Sequence, residues 1–245
     1  MRVLERHRIQ RDDRPANSAV VVGVDDSPAG RLAAEYAVVE AELRRWNLHL
    51  LHVQPAGAAR YAPGDRGARL LEQTAGRVHE CAPAVAVSGH LAVGAAATVL
   101  LEELSDTDMV VVGHHRGPAH ASFGLRIEER VAALHRGPAL VVPESAGSPG
   151  TGFVDRPVVV LADARSRTPA VGFARTEAML RGCELVVLHA PGDVAGEPAQ
   201  ALVEASQRAA VVVIDRHGAG ATTMLVGPVG RALVQEAACP VFLIG

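Results

Sequence analysis

The residues best suited to chemistry in this 245-residue chain gather in two places. One is Asp25-Asp26-Ser27-Pro28, where two carboxylates and a hydroxyl follow directly on the apolar run Val20-Val21-Val22. The other is Gly113-His114-His115-Arg116-Gly117, with His120 and Gly124 beyond it, which again follows an apolar run, Met109 to Val112. A carboxylate at a strand end can orient a polar ligand or cap the next helix. Glycines interleaved with His and Arg can bring backbone N–H groups and cations up to an anion. Adjacent histidines rarely both reach one metal, and no carboxylate or cysteine stands at ligand spacing, so no metal is expected. Asp25 and Asp163 have no Ser-His or Cys-His partner pattern and no Gly-x-Ser-x-Gly elbow exists, so no reaction is assigned. Capping of local backbone is their simplest role.

Composition removes several chemistries at once. All 24 basic residues are Arg and none is Lys, which excludes a Walker-type phosphate loop, a pyridoxal Schiff base and a protein-kinase strand lysine. Cys81, Cys183 and Cys239 are odd in number and form no C-x-x-C, so reduced, mostly buried thiols are expected, and no disulfide framework. Aromatics are 3%, too few for a base-stacking groove. Five Arg against three acids fall in residues 1–17, which leaves the body acidic and argues against a nucleic-acid partner. That Arg-rich stretch reads as a flexible basic tail; it has no signal-peptide core, and no apolar run reaches membrane length. A cytoplasmic protein with no membrane partner is expected.

The elements that must position these residues occur twice. Val20-Val21-Val22-Gly23-Val24-Asp25 is repeated as Val158-Val159-Val160-Leu161-Ala162-Asp163 at an offset of 138, and Leu51-His52-Val53 as Leu188-His189-Ala190 at 137. Met109 to Gly113 then matches Val211 to Asp215 at an offset of 102, and Gly137-Pro138-Ala139-Leu140 matches Cys239-Pro240-Val241-Phe242 at the same offset. The second copy therefore lacks about 36 residues, the counterparts of a helix near 68–81 and a strand near 83–87. Short β-branched runs alternating with helical patterns call for parallel strands with crossover helices. Ser27 with Pro28 opens a helix whose Leu32, Tyr36, Val39 and Leu43 mark one apolar face; Ser166 or Thr168 with Pro169 opens its counterpart, with Phe173 and Leu180 inward. Residues 18–143 form the first unit, 144–156 a flexible linker and 157–245 a second, truncated unit.

The ordered set of Val24-Asp25-Asp26-Ser27-Pro28, Leu51-His52-Val53, the Met109–Gly113 strand entering a glycine loop and Gly137-Pro138 or Cys239-Pro240 before a last strand resembles the universal stress protein family in its tandem, actinobacterial-type form. The resemblance implies an α/β fold of two open parallel-sheet sandwiches, nucleotide-binding and α-hydrolase-like, each with strand order 3-2-1-4-5 and the second shortened. It implies an adenine nucleotide, ATP or AMP, as the candidate ligand, a role in stress response, a pseudo-dimer within the chain and a homodimer. In nucleotide-binding members an Asp like Asp25 contacts the nucleoside, and a G-x2-G-x9-G-[S/T] loop wraps the phosphates. Carried over here, the candidate residues are Asp25, Val53, Gly113, His115, Arg116, Gly117 and Gly124, with Asp163, Gly218 and Gly227 as vestigial equivalents.

Both copies depart from that loop. In the first, three residues separate Gly113 from Gly117, six separate Gly117 from Gly124, and either Leu125 or Arg126 takes the Ser/Thr place. In the second, Asp215 replaces the first glycine and would repel a phosphate, and Pro228 stands at the hydroxyl position without a backbone donor. Two functions stay open: a nucleotide-responsive stress protein, or a nucleotide-independent interaction scaffold. In either case the apolar edge strands 139–142 and 241–244 are expected to pair about a pseudo-twofold axis.

Overall fold

The computed structural model describes residues 18–55, 64–115, 126–150, 155–162, 168–189, 197–216 and 226–245. The first set of strands is β1 (Val20–Gly23), β2 (Leu48–Gln54), β3 (Val87–Val93), β4 (Met109–His114) and β5 (Ala139–Pro143). They alternate with helices α1 (Pro28–Arg44), α2 (Gly64–Cys81), α3 (Ala96–Glu103) and α4 (Ile127–Leu134). The second set is β6 (Val158–Ala162), β7 (Leu185–His189), β8 (Val211–Asp215) and β9 (Val241–Ile244), with α5 (Pro169–Arg181), α6 (Glu197–Ser206) and α7 (Pro228–Glu236) between them. All nine strands join one sheet in the order β3-β2-β1-β4-β5-β9-β8-β6-β7.

The first five strands keep the 3-2-1-4-5 order, and the last four repeat it without its third strand. The two units join edge to edge through β5 and β9, the pairing expected of these apolar edge strands, so one continuous sheet forms. Every neighbour pairing is parallel except β5 with β9, where Ala139 faces Leu243, Leu140 faces Phe242 and Val141 faces Val241. Leu140 and Phe242 are repeat equivalents (242 − 140 = 102), so the twofold relating the units passes between them.

Strand composition explains the layering. The central strands are nearly all Val, Leu and Ile because both faces are covered. One face packs under α1, α2 and α5 through Tyr36, Ala37, Leu71, Val78 and Ala174. The other packs under α3, α4, α6 and α7 through Leu100, Val131, Leu202 and Leu233. Helix α1 approaches closely because its buried stripe is alanine, Ala33, Ala37 and Ala41, with Tyr36; Leu32, Val39 and Leu43, read as the apolar face, are only partly buried. The third strand lies at 87–93 and not at 83–87, since Ser88, Gly89 and His90 mask its pattern while Val85 turns back onto the Ala82 carbonyl. Leu180 points outward, with 37% of its surface exposed. Cys81 is exposed and Cys183 half-buried, so only Cys239 fits the expected buried thiol.

Two polar devices sit on the junction. Glu40 and Arg44 of α1 meet their repeat equivalents Glu177 and Arg181 of α5: Arg44 bonds Glu40 and Glu177, and Arg181 bonds Glu40 and lies 3.3 Å from Glu177. Both carboxylates are fully buried, and Arg44 also lies over the Phe173 ring at 5.9 Å, which in turn packs edge-on against Phe242 at 4.9 Å. On the opposite side Arg216, buried after β8, donates to the carbonyls of His135 and Gly137 in the first unit, the latter at 2.9 Å.

Two outcomes are expected. Arg44→Met strands buried carboxylate charge and lowers stability by about 3 to 5 kcal/mol, whereas replacing all four members with apolar side chains recovers most of it; chemical denaturation of both variants decides. Burial lowers the pKa of His135, opposed by its bond to the Asp108 carbonyl and reinforced by Arg216. The folded protein then binds fewer protons than the unfolded chain just below pH about 6.5, so stability falls as pH drops through that value. A His135→Gln variant shows a flatter dependence in melts between pH 7 and 5.

Candidate functional site

Strands β1 and β4 lie side by side, with Val22 opposite Val111, and their chains leave the sheet in different directions. Carrying that register forward puts Val24 level with Gly113 and Asp25 level with His114. This is the switch point of the sheet, where an open α/β fold forms its ligand crevice.

Asp25 is exposed, and its Oδ1 accepts from the Ser27 amide at 2.9 Å and the Ser27 hydroxyl at 2.5 Å. Ser27 in turn caps α1 by accepting from the Gly30 amide at 2.9 Å. Among the described residues both of these Asp25 bonds fall on Oδ1. Two glycines let α1 start close against β4 at this corner. A Cβ on Gly30 would stand 2.1 Å from Asp25 Oδ1, and a Cβ on Gly113 would stand 2.5 Å from the Ala29 carbonyl carbon and oxygen. No side chain fits at either position while α1 starts this close to β4. Val53 borders the same end of the sheet on β2, opposite Ala92 and partly buried. His52 donates from Nδ1 to the Val24 carbonyl at 2.7 Å, a structural bond that holds the β1 exit.

The loop after β4 is anchored at both ends. His114 is buried and bonds the Glu128 carboxylate of α4 at 2.8 Å. Its apolar surroundings come from the strand alternation, which turns residue 114 toward the helix layer. His115 is exposed and bonds Glu144, at the 3-10 turn after β5, at 3.0 Å. Arg126, the residue before α4, donates to the His115 carbonyl at 2.5 Å. Of the two residues weighed for the Ser/Thr place, Arg126 is therefore the one that opens the helix. Arg116, Gly117, His120, Gly124 and Leu125 lie outside the described residues, as do Asp163, Ser166 and Gly218. Among the described residues no group of three His, Cys, Asp or Glu side chains could hold a metal.

The second unit builds the same corner differently. Asp215, equivalent to Gly113, accepts from the Ala170 amide at 3.1 Å, and Ala170 is the second residue of α5. A carboxylate thus occupies the helix N-terminus that an anionic ligand would otherwise address. Thr168 precedes that helix without a capping bond, and its buried hydroxyl has no partner among the described residues. Gly227 precedes α7, its amide bonded to the Arg216 carbonyl at 3.2 Å, and Pro228 follows as the first helical residue. Asp215→Ala is expected to cost about 1 kcal/mol through loss of the cap, while Thr168→Val, deleting an unpaired hydroxyl, is neutral or stabilising. Denaturation midpoints of the two variants separate these outcomes.

Comparison with known proteins agrees with this architecture. A profile of the universal stress protein family matches residues 17–143. Universal stress protein Rv2623 of Mycobacterium tuberculosis is 27% identical, the alignment covering 91% of this chain and 95% of that protein. A universal stress protein structure from Archaeoglobus fulgidus superposes with a TM-score of 0.69 at 15% identity, covering 92% of this chain and 95% of that one. A functionally unknown protein from Pseudomonas aeruginosa, PA1789, superposes with a TM-score of 0.59 at 14% identity, covering 92% of each. With the doubled unit, the switch-point corner and a family match over half its length, the chain belongs to the universal stress protein family, in its tandem form.

Proposed function

We infer that this chain is an adenine-nucleotide-responsive stress protein with one working site, in the first unit. The observation that carries the reading is the close corner at the switch point, where Gly30 and Gly113 let the start of α1 pack against the end of β4 beside Asp25. Asp25 is the group assigned to accept from a nucleoside hydroxyl. Val53 lines the floor, and Gly113, His115, Arg116, Gly117 and Gly124 supply the loop that meets phosphate, with Arg116 as its cation. The loop is shorter than the pattern of nucleotide-binding relatives, so AMP fits better than ATP. The second unit, with Asp163, Gly218 and Gly227, is the vestigial one, because Asp215 already fills its helix N-terminus. Occupancy acts by changing assembly or partner binding, and no turnover is assigned. Three free cysteines suit a reducing, cytoplasmic setting.

Titration calorimetry with AMP, ATP and cyclic AMP tests the reading. Binding of one nucleotide per chain, with AMP tightest, is expected. Asp25→Ala abolishes it and Asp163→Ala leaves it intact. Equal loss with both variants overturns the assignment to the first unit, and no heat from the parent protein with any nucleotide leaves the scaffold reading in its place.

A further inference from the structure

The shortened second unit leaves a surface that the first unit covers. In the first unit β2 is flanked by β3 and overlaid by α2, and its Leu48 and Leu50 are fully buried. Their equivalents on β7 are Leu185 and Val187, at the offset of 137. Among the described residues β7 has one strand neighbour, β6, and it ends the sheet. Val187 is 36% exposed in consequence, and Met179 (74%) and Leu180 (37%) lie uncovered on the last turn of α5, just before β7 begins.

The free edge is suited to pairing. Val158 donates to the Glu184 carbonyl while standing opposite Leu185. In a parallel ladder this directs the backbone groups of 184, 186 and 188 toward β6, and those of Leu185, Val187 and His189 outward. The strand Leu185-Val186-Val187-Leu188-His189 carries no Lys, Arg, Asp, Glu or Pro, the usual guards against edge pairing. The opposite edge, β3, is interrupted by Ser88, Gly89 and His90 and lies under α2.

We propose that β7 is a self-association edge, pairing antiparallel with β7 of a second copy of this chain about a twofold axis through Val187. In that register Val187 faces Val187 and Leu185 faces His189, six backbone hydrogen bonds form, and no like charges are opposed. A second copy is the occupant that the pattern favours for two reasons. The strand is uncharged on both sides of its midpoint, so it is complementary to itself. The sheet also already contains an antiparallel edge contact between two equivalent units, β5 with β9, and the new pair would extend the same sheet. The contact is small, five residues of strand with flanking helix, so the dimer is weak, with a dissociation constant on the order of 10 μM. This proposal does not depend on nucleotide binding.

Sedimentation velocity from about 1 to 200 μM tests it, with melting curves as the folding control. The parent chain is expected to shift from monomer to dimer across that range. Val187→Arg, which sets two like charges across the axis, raises the dissociation constant at least tenfold without lowering the melting temperature. As a second readout, Val187→Cys in a Cys81→Ser, Cys183→Ser background oxidises to a covalent dimer, since a directly paired residue lies about 5.5 Å Cα to Cα from its mate. Val93→Cys on the other edge does not. A parent that stays monomeric at 200 μM overturns the proposal. So does a Val187→Arg dimer of parental strength, equal cross-linking at Val93, or open-ended oligomers that mark β7 pairing with β3 of another copy.

Discussion

The antiparallel ladder between β5 and β9 is the contact on which the rest of the molecule depends. It is the one antiparallel pairing in the sheet, and it converts two incomplete edges into a continuous nine-stranded core. Because Leu140 and Phe242 sit on the axis, repeat equivalents close to it face one another across it. The buried tetrad of Glu40, Arg44, Glu177 and Arg181 follows from that geometry. Each acid needs a cation when dehydrated, and the twofold delivers one from each helix. Arg216 is asymmetric by contrast, reaching only from the second unit to the first. The junction is thus fixed in register by backbone bonds and in specificity by charge that tolerates no sliding of α1 against α5.

The same symmetry exposes how the two units diverged. At one equivalent corner stand Gly113 and Asp215, a residue with no side chain and a residue whose carboxylate bonds the helix N-terminus. Both solve the same electrostatic problem, an array of N–H groups pointing out of the first helix of the unit. In the first unit Ser27, itself held by Asp25, caps that array locally. In the second the solution comes from the strand across the crevice. At this one position the two units differ by a carboxylate that bonds the helix N-terminus in the second and is absent from the first.

Much of this was legible before any coordinates. The element order, the missing helix and strand, the Ser27 cap and the pairing of 139–142 with 241–244 all follow from apolar runs and their offsets, which are local or repeated signals. What escaped was nonlocal. Nothing local in the sequence marks Glu40 and Arg44 as buried; their partners come from a helix 137 residues away. His114 read as a loop histidine because its acceptor, Glu128, lies across the loop. Strand β3 was misplaced because Ser88, Gly89 and His90 weaken the alternation of an edge strand. At the site, Asp25 and Gly113 were readable from their place after apolar runs, whereas the need for Gly30 was not, because that need arises from a contact with the Asp25 side chain.

The seam also has a consequence for how the chain is made. Strand β9 lies 102 residues after the equivalent segment β5. At a ribosomal rate of about 5 to 20 residues per second, the first unit emerges roughly 5 to 20 s before the strand that closes its edge exists. During that interval Ala139, Leu140, Val141 and Val142 form an open, wholly apolar rim on an otherwise complete sheet. Two nascent chains on one message could join there, each taking the place reserved for the other's β9. Synthesis of the second unit is therefore a race against a neighbour, and its shortness, with the helix and strand before β8 removed, shortens that race.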